Sequence, residues 1–87
     1  MTWSVSISSK AHKQLQKLEP GHRRIVLTWL AKHIEGCKNP RQYGKPLSAN
    51  HAGKWRYRIG KYRVVVEIKD TELVVLALAV GHRRNVY

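Results

Sequence analysis

Between Trp55 and Val80 the chain reads WRYRIGKYRVVVEIKDTELVVLALAV, and this stretch restricts the fold more than any other. Aromatic and β-branched residues dominate it, with the alternation of extended chain. It divides into strands at about 55–59, 62–68 and 73–80. Gly60-Lys61 suits a two-residue hairpin turn with glycine first, the type II′ pattern. Asp70-Thr71 marks a second, chemically weaker turn. With Gly60-Lys61 at the tip, Arg58 lies opposite Arg63, Arg56 opposite Val65 and Tyr57 opposite Val64. Two arginines facing each other across a strand pair repel, so the register places a charge cluster where packing alone would not.

The remaining segments complete an α+β pattern. WSVSIS at 3–8 alternates Trp3, Val5 and Ile7 with serines, as a half-buried strand does. Ser8 or Ser9 caps a helix running to about Leu18, with Ala11, Leu15 and Leu18 on one face. Pro20-Gly21 interrupts it, and a second helix runs from about His22 to Glu35 on a stripe of Ile25, Val26, Trp29, Leu30 and Ile34. Residues 37–54 form an irregular stretch carrying prolines, glycines and basic side chains. The order β-α-α-β-β-β predicts a single domain over 1–87. Its expected architecture is an antiparallel-dominated, four-stranded sheet with a helical hairpin on one face. Tyr57, Val64, Val66, Ile68, Leu73, Val75 and Ala77 are assigned to the helix side, and Arg56, Arg58, Arg63, Val65, Leu76 and Leu78 to the other. The last strand is apolar on both faces and belongs inside the sheet.

Seventeen Lys and Arg against five Asp and Glu give a formal charge of +12. Such a field attracts polyanions, either nucleic acid or an acidic protein. The plainer reading, a solvated basic surface, would be served as well by lysine, without the bidentate fork that arginine presents to phosphate. No apolar run approaches the ~20 residues of a membrane span. The lone Cys37 excludes an internal disulfide, fits a reducing cytoplasm and has no base partner in sight. No metal-ligand spacing, phosphate loop or carboxylate pair occurs, and His51 and His82 are isolated, so neither metal nor cofactor is expected.

The arginine cluster suits phosphate chemistry. RNA carries its own nucleophile, the 2′-hydroxyl. A protein that cleaves it must deprotonate that group, align it, stabilise the added negative charge and protonate the leaving oxygen. Arg56, Arg58 and Arg63 suit charge stabilisation. Lys54, Lys61, His82 and Arg84 extend the basic surface around them as RNA contacts. Gly81 permits a sharp exit from the last strand, letting His82, Arg83, Arg84 and Tyr87 curl over the arginine face. A tyrosine ringed by guanidinium groups has its pKa drawn below ~10 and can act as a base. The proton donor is open; a histidine such as His82 suits that task at neutral pH better than an arginine does.

GKPL (44–47), WRYRIGKYRVVVEI (55–68) and AVGHRRNVY (79–87) together resemble the RelE/ParE superfamily of bacterial toxins, on the RelE side. The resemblance spans the chain. It implies an endonuclease that enters the ribosomal A site, contacts rRNA and mRNA there, and cuts the codon by 2′-hydroxyl attack to leave a 2′,3′-cyclic phosphate. It also implies a cognate acidic antitoxin that silences the toxin and takes operator DNA only as part of the complex. By position, Arg56 and Arg58 fall on two family lysines that contact RNA, and Arg63 on a phosphate-stabilising arginine. Arg83 falls on an arginine tied to the transition state, and Tyr87 on the base that also stacks on the target. Arginines for the lysine pair change donor geometry, and the tail is two residues shorter between arginine and tyrosine. Leu76, Leu78 and Val65, with Lys10, Lys13, Lys17, Arg23, Arg24 and Lys32 on the helices, would offer the antitoxin a surface. Two alternatives share these features: a ParE-like gyrase inhibitor, and a nucleic-acid-binding module without catalysis.

Overall fold

A computed structural model describes residues 2–47 and 53–82. Its elements in chain order are β1 (Ser4–Ile7), α1 (Ser9–Gln16), α2 (Pro20–His33), a single 3-10 turn (Pro40–Tyr43), β2 (Lys45–Pro46), β3 (Lys54–Ile59), β4 (Tyr62–Lys69) and β5 (Val74–His82). The sheet order is β1-β5-β4-β3-β2. β5 lies inside it, parallel to β1 and antiparallel to β4, as its two apolar faces require. The α+β class and the helix-covered face are as expected. The strand count is five rather than four, because Lys45 and Pro46 pair with Arg56 and Trp55. A two-residue strand containing proline has no alternation to read, and proline is tolerated there because the strand is at the sheet's edge.

The β3–β4 register is the one read from the turn: Arg58 faces Arg63, Arg56 faces Val65 and Tyr57 faces Val64. Gly60 has φ +57°, while Lys61 is not left-handed, which fits a turn with positive φ at its first position only. The core lies between the sheet and the helices. Tyr57, Ile59, Val64, Val66, Ile68, Val75, Ala77 and Val80 from the sheet meet Ala11, Leu15, Val26, Leu30 and Ile34 from the helices. Leu73 does not continue β5 as expected. It closes a four-residue turn with φ +54°, half-buried against the core.

β5 carries a bulge. Val65 pairs with Ala79 but Val66 with Ala77, so Leu78 is the extra residue. Beyond it the strand's parity reverses. Val80 turns to the helices and is buried, while Ala79 and Gly81, the partners of Val65 and Arg63, face the arginines. β1 stops at Ile7, so the far edge of β5 would be bare from Leu78 on. Helix α1 covers it: Ser8 Oγ caps the Ala11 N–H at 3.1 Å and donates to the Leu78 carbonyl at 3.2 Å, and Gln14 Oε1 accepts from the Val80 N–H at 2.7 Å.

The helix ends differ from expectation for local reasons. α2 begins at Pro20, not His22, because proline's fixed φ and missing N–H suit a first helical turn. α1 ends at Gln16, and the Arg23 guanidinium satisfies its C-terminal carbonyls, reaching Leu15 O at 3.0 Å and Gln16 O and Leu18 O at 3.2 Å. Arg23 therefore serves the helix joint and is not part of the open basic surface. The outer edge of β1 is also occupied: Trp3 N–H bonds Cys37 O, Gly36 N–H bonds Trp3 O, and Val5 N–H donates to Glu35 Oε1 at 2.9 Å.

Gln14→Ala would leave the Val80 N–H without its partner. A loss of about 1–3 kcal/mol is expected in denaturant unfolding, with the m-value unchanged. Gly44 packs so closely on β3 that a Cβ there would overlap the Arg56 carbonyl oxygen and lie 2.7 Å from the Tyr57 ring. Gly44→Ala should therefore cost about 1–3 kcal/mol in the same measurement.

Candidate nucleic-acid interface

The face of the sheet opposite the helices is laid out by register, since directly paired residues share a face. One row across it holds Arg58, Arg63 and Gly81; the next holds Lys45, Arg56, Val65 and Ala79; a third holds Lys54, Glu67 and Leu76. Arg58 and Lys45 are exposed, and Arg56, Arg63 and Lys54 half-buried. Lys61 is exposed at the hairpin tip. Because the bulge brings Ala79 and Gly81 to this side, the floor beside Val65 and Arg63 is made of small residues. With Leu78 and Val80 in those places it would be filled.

Four of the five carboxylate side chains belong to other parts of the fold. Asp70 is held by Arg41 in a two-point contact at 2.9 and 2.7 Å, and Glu72 lies 4.0 Å from Lys69. Glu35 bonds the β1 backbone, and Glu19 precedes α2 as its N-terminal cap residue. Glu67 projects from β4 on the arginine side, paired with Lys54, one row from Arg56, and four positions from Arg63, or ~13 Å at the usual rise of a strand. No ion pair joins Arg56, Arg58 or Lys45 to any described residue. The pairing of Arg58 with Arg63 sets two like charges opposite each other and concentrates positive potential on this face.

The tyrosine inside the WRYR motif has a different task. Tyr57 points to the core, is fully buried, and donates its hydroxyl to the Pro40 carbonyl at 2.9 Å. Burial pushes its phenol far above the usual tyrosine range, so it stays neutral. The bond ties the 3-10 turn to the middle of β3. A second tie comes from Arg41, whose guanidinium carbon lies 5.7 Å from the centre of the Trp55 ring while the group grips Asp70 and holds that carboxyl below the usual carboxylate range. Together they fix the loop that delivers Gly44 and Lys45 to the edge of the arginine face.

Two expectations change. His82 does not curl over the arginines. It pairs with Tyr62 on the helix side of β5, its ring centroid 6.3 Å from the Tyr62 ring, and the Tyr62 hydroxyl is 2.6 Å from His22 Nδ1. The bulge is the cause, because it reverses the parity of every residue after Leu78. Lys45, by contrast, belongs to the cluster although the sequence did not single it out. Its place follows from pairing with Arg56, which the GKPL motif encodes only through the glycine that lets the chain approach. Arg83, Arg84, Tyr87 and His51 lie outside the described residues.

Two helices against one face of a mostly antiparallel sheet are an architecture this chain shares with toxins of toxin-antitoxin systems. The model of the ParE toxin family of type II toxin-antitoxin systems matches residues 5–87, and the chain belongs to that family. Toxin RelG of Mycobacterium tuberculosis is 31% identical over 87 residues, covering all of this chain and 98% of its own length. Among solved structures, the RelBE2 toxin-antitoxin complex of M. tuberculosis matches with a TM-score of 0.86 at 29% identity, over 98% of this chain and 95% of that one. The isolated E. coli RelE toxin shares the fold, with a TM-score of 0.68 at 20% identity over 93% of this chain and 84% of that one. The protein is a RelE/ParE-family toxin of a toxin-antitoxin system.

The Tyr57 phenol stays protonated in the fold but ionises in the unfolded chain near pH ~10. A raised folded pKa means its contribution is complete below that pH and declines as pH rises through it toward the folded value. Native protein should therefore lose stability above pH ~10, with one phenol ionising only on unfolding in the ultraviolet phenolate band. In Tyr57→Phe that component should vanish, and neutral-pH stability should fall by about 1–3 kcal/mol as the Pro40 carbonyl loses its donor.

Proposed function

We propose that this toxin is a ribosome-dependent mRNA endonuclease. The observation that carries the reading is the direct pairing of Arg58 with Arg63, flanked by Arg56 and Lys45, with no ion pair joining Arg56, Arg58 or Lys45 to a described residue. That arrangement suits a phosphodiester gaining negative charge as the 2′-hydroxyl attacks. The fork of Arg63, half-buried and beside the open floor at Gly81, would bind the equatorial oxygens, and Arg58 would share the charge. Arg56, Lys54 and Lys61 would hold the strand on either side. Arg83 would act on the leaving group or its charge, Tyr87 would take the 2′-proton and stack on the target base, and Arg84 would contact the backbone. These three roles rest on the family resemblance. His82 is proposed as an RNA contact at the sheet's end, reached from the helix side. The product would be a 2′,3′-cyclic phosphate and a 5′-hydroxyl, with no metal required.

RelE toxins have been solved with their antitoxins from E. coli, M. tuberculosis and Pyrococcus horikoshii. An acidic antitoxin is the proposed partner here, neutralising the net charge of +12 and carrying the toxin to operator DNA. The cytoplasm is the proposed site of action; among the described residues no helix is long and apolar enough to cross a membrane.

A second reading, inhibition of DNA gyrase, is favoured by the ParE name of the matched family. Mapping transcript 5′ ends after brief induction separates the two. The ribonuclease reading expects in-frame cuts confined to translated messages. Arg63→Ala should reduce cutting by roughly 10²–10³-fold, the scale of losing one preorganised charge-stabilising group. Growth arrest without cuts, insensitive to Arg63→Ala, would favour the gyrase.

A further inference from the structure

At the edge of the arginine face, where the 3-10 turn and β2 meet β3, there is a cleft of about 240 Å³ lined by Gln42, Tyr43, Gly44, Lys45, Arg56 and Arg58. It is smaller than the ~300–1,000 Å³ pockets that enclose drug-sized ligands, and of the size of a single nucleotide. Its walls are rigid. The Tyr43 ring is packed edge-on against Trp29 at 6.1 Å and His33 at 5.5 Å. Tyr57 and Arg41 pin the loop behind it. Gly44 also lines it and lies so close to β3 that a Cβ there would overlap the Arg56 carbonyl oxygen.

The cations lead into this cleft. Arg58 and Arg56, alternate residues of β3 on one face, are separated by about 6.6 Å along the strand, comparable with one phosphate-to-phosphate step of a nucleic-acid backbone. Lys45 lies directly across from Arg56 on β2. A path therefore runs from the Arg58–Arg63 pair through Arg56 to Lys45, and an exposed amide, Gln42, stands on the cleft wall at its end. An amide presents both a donor and an acceptor, as the edge of a base requires. Lys45 has no ion pair with a described residue.

We infer that this cleft is a subsite for one nucleotide of single-stranded RNA next to the scissile step, with Lys45 on its phosphate and Gln42 on its base. The assignment rests on the ribonuclease reading above and adds residues and a specificity to it. The cut is then chosen partly by the nucleotide held here. Arg56 is shared between the reacting phosphate and its neighbour.

Cleavage by the full chain is measured on ribosomes programmed with messages that differ only in the bases flanking the cut, at two salt concentrations. Lys45→Ala should lower the rate roughly tenfold for every base and reduce the log–log salt slope by about one. Gln42→Ala should lower the rate on the preferred base roughly tenfold, toward that of the other bases, and so flatten the preference at one flanking position. Both side chains are exposed, and thermal melts of the variants should match native. If native protein cleaves and both variants copy its rates, base preference and salt slope, the subsite is wrong while the ribonuclease reading stands. If native protein cleaves nothing, that reading fails, and binding decides the cleft separately. By fluorescence anisotropy, lengthening a labelled all-deoxy oligonucleotide by one residue should then raise affinity at least threefold for native protein and not for Lys45→Ala. No gain for native protein, or the same gain in the variant, overturns the subsite. So does a result in which Lys45→Ala weakens only binding of an acidic protein partner.

Discussion

The register of the β3–β4 hairpin is the constraint on which the other features depend. Gly60 supplies a positive φ at the first turn position, and the pairing that follows sends Tyr57 and Ile59 to the core and Arg56 and Arg58 to the open face. A slip of one residue would bury guanidinium groups and expose the core tyrosine, at a cost far above the few kcal/mol by which such a domain is stable. The repulsion between Arg58 and Arg63 is small beside that penalty. Apolar burial on one face therefore fixes an electrostatically unfavourable pairing on the other.

The bulge at Leu78 adjusts this scheme at the end of the sheet beside Arg63. Without it Leu78 and Val80 would face the arginines and His82 would follow them. With it, Val80 completes the core, Ala79 and Gly81 leave an open floor, and His82 joins Tyr62 and His22 on the far side. Ser8 and Gln14 hold the bulged strand in place of a missing strand neighbour. Helix α1 thus positions the segment from which the chain continues to Arg83 and Tyr87. Disturbing α1 should reach the site through β5, although no α1 residue lies on the arginine face.

The carboxylates show how a chain with few acids spends them on structure. Asp70 fastens Arg41 and the loop before β2, Glu35 closes the edge of β1, and Glu72 accompanies Lys69 at the far hairpin. Arg23 does the parallel task among the cations, satisfying three carbonyls at the joint of the helices. Arg23, Arg41 and Asp70, near secondary-structure ends and loops, are hydrogen-bonded or paired, while Arg56, Arg58 and Lys45 on the open face have no ion pair with a described residue. This uneven distribution, rather than the net charge, marks that face as the candidate site.

Much of this was legible in the sequence because it follows from local chemistry. The turn glycine and the two-residue period determined the hairpin and its register. The helix stripes determined which side is covered, and the apolar character of both faces placed β5 inside the sheet. The arginine cluster and the family resemblance came from the same residues. The tertiary structure alone decided what depends on contacts between distant segments. Strand β2 exists only because Gly44 can approach Arg56 and Tyr57, and that contact brought Lys45 into the cluster. The side taken by His82 depends on one extra residue in β5, and no residue type announces a bulge of that kind. Alternation can be read along a chain, but the partner across a sheet and the parity after a bulge are settled by the whole core packing at once.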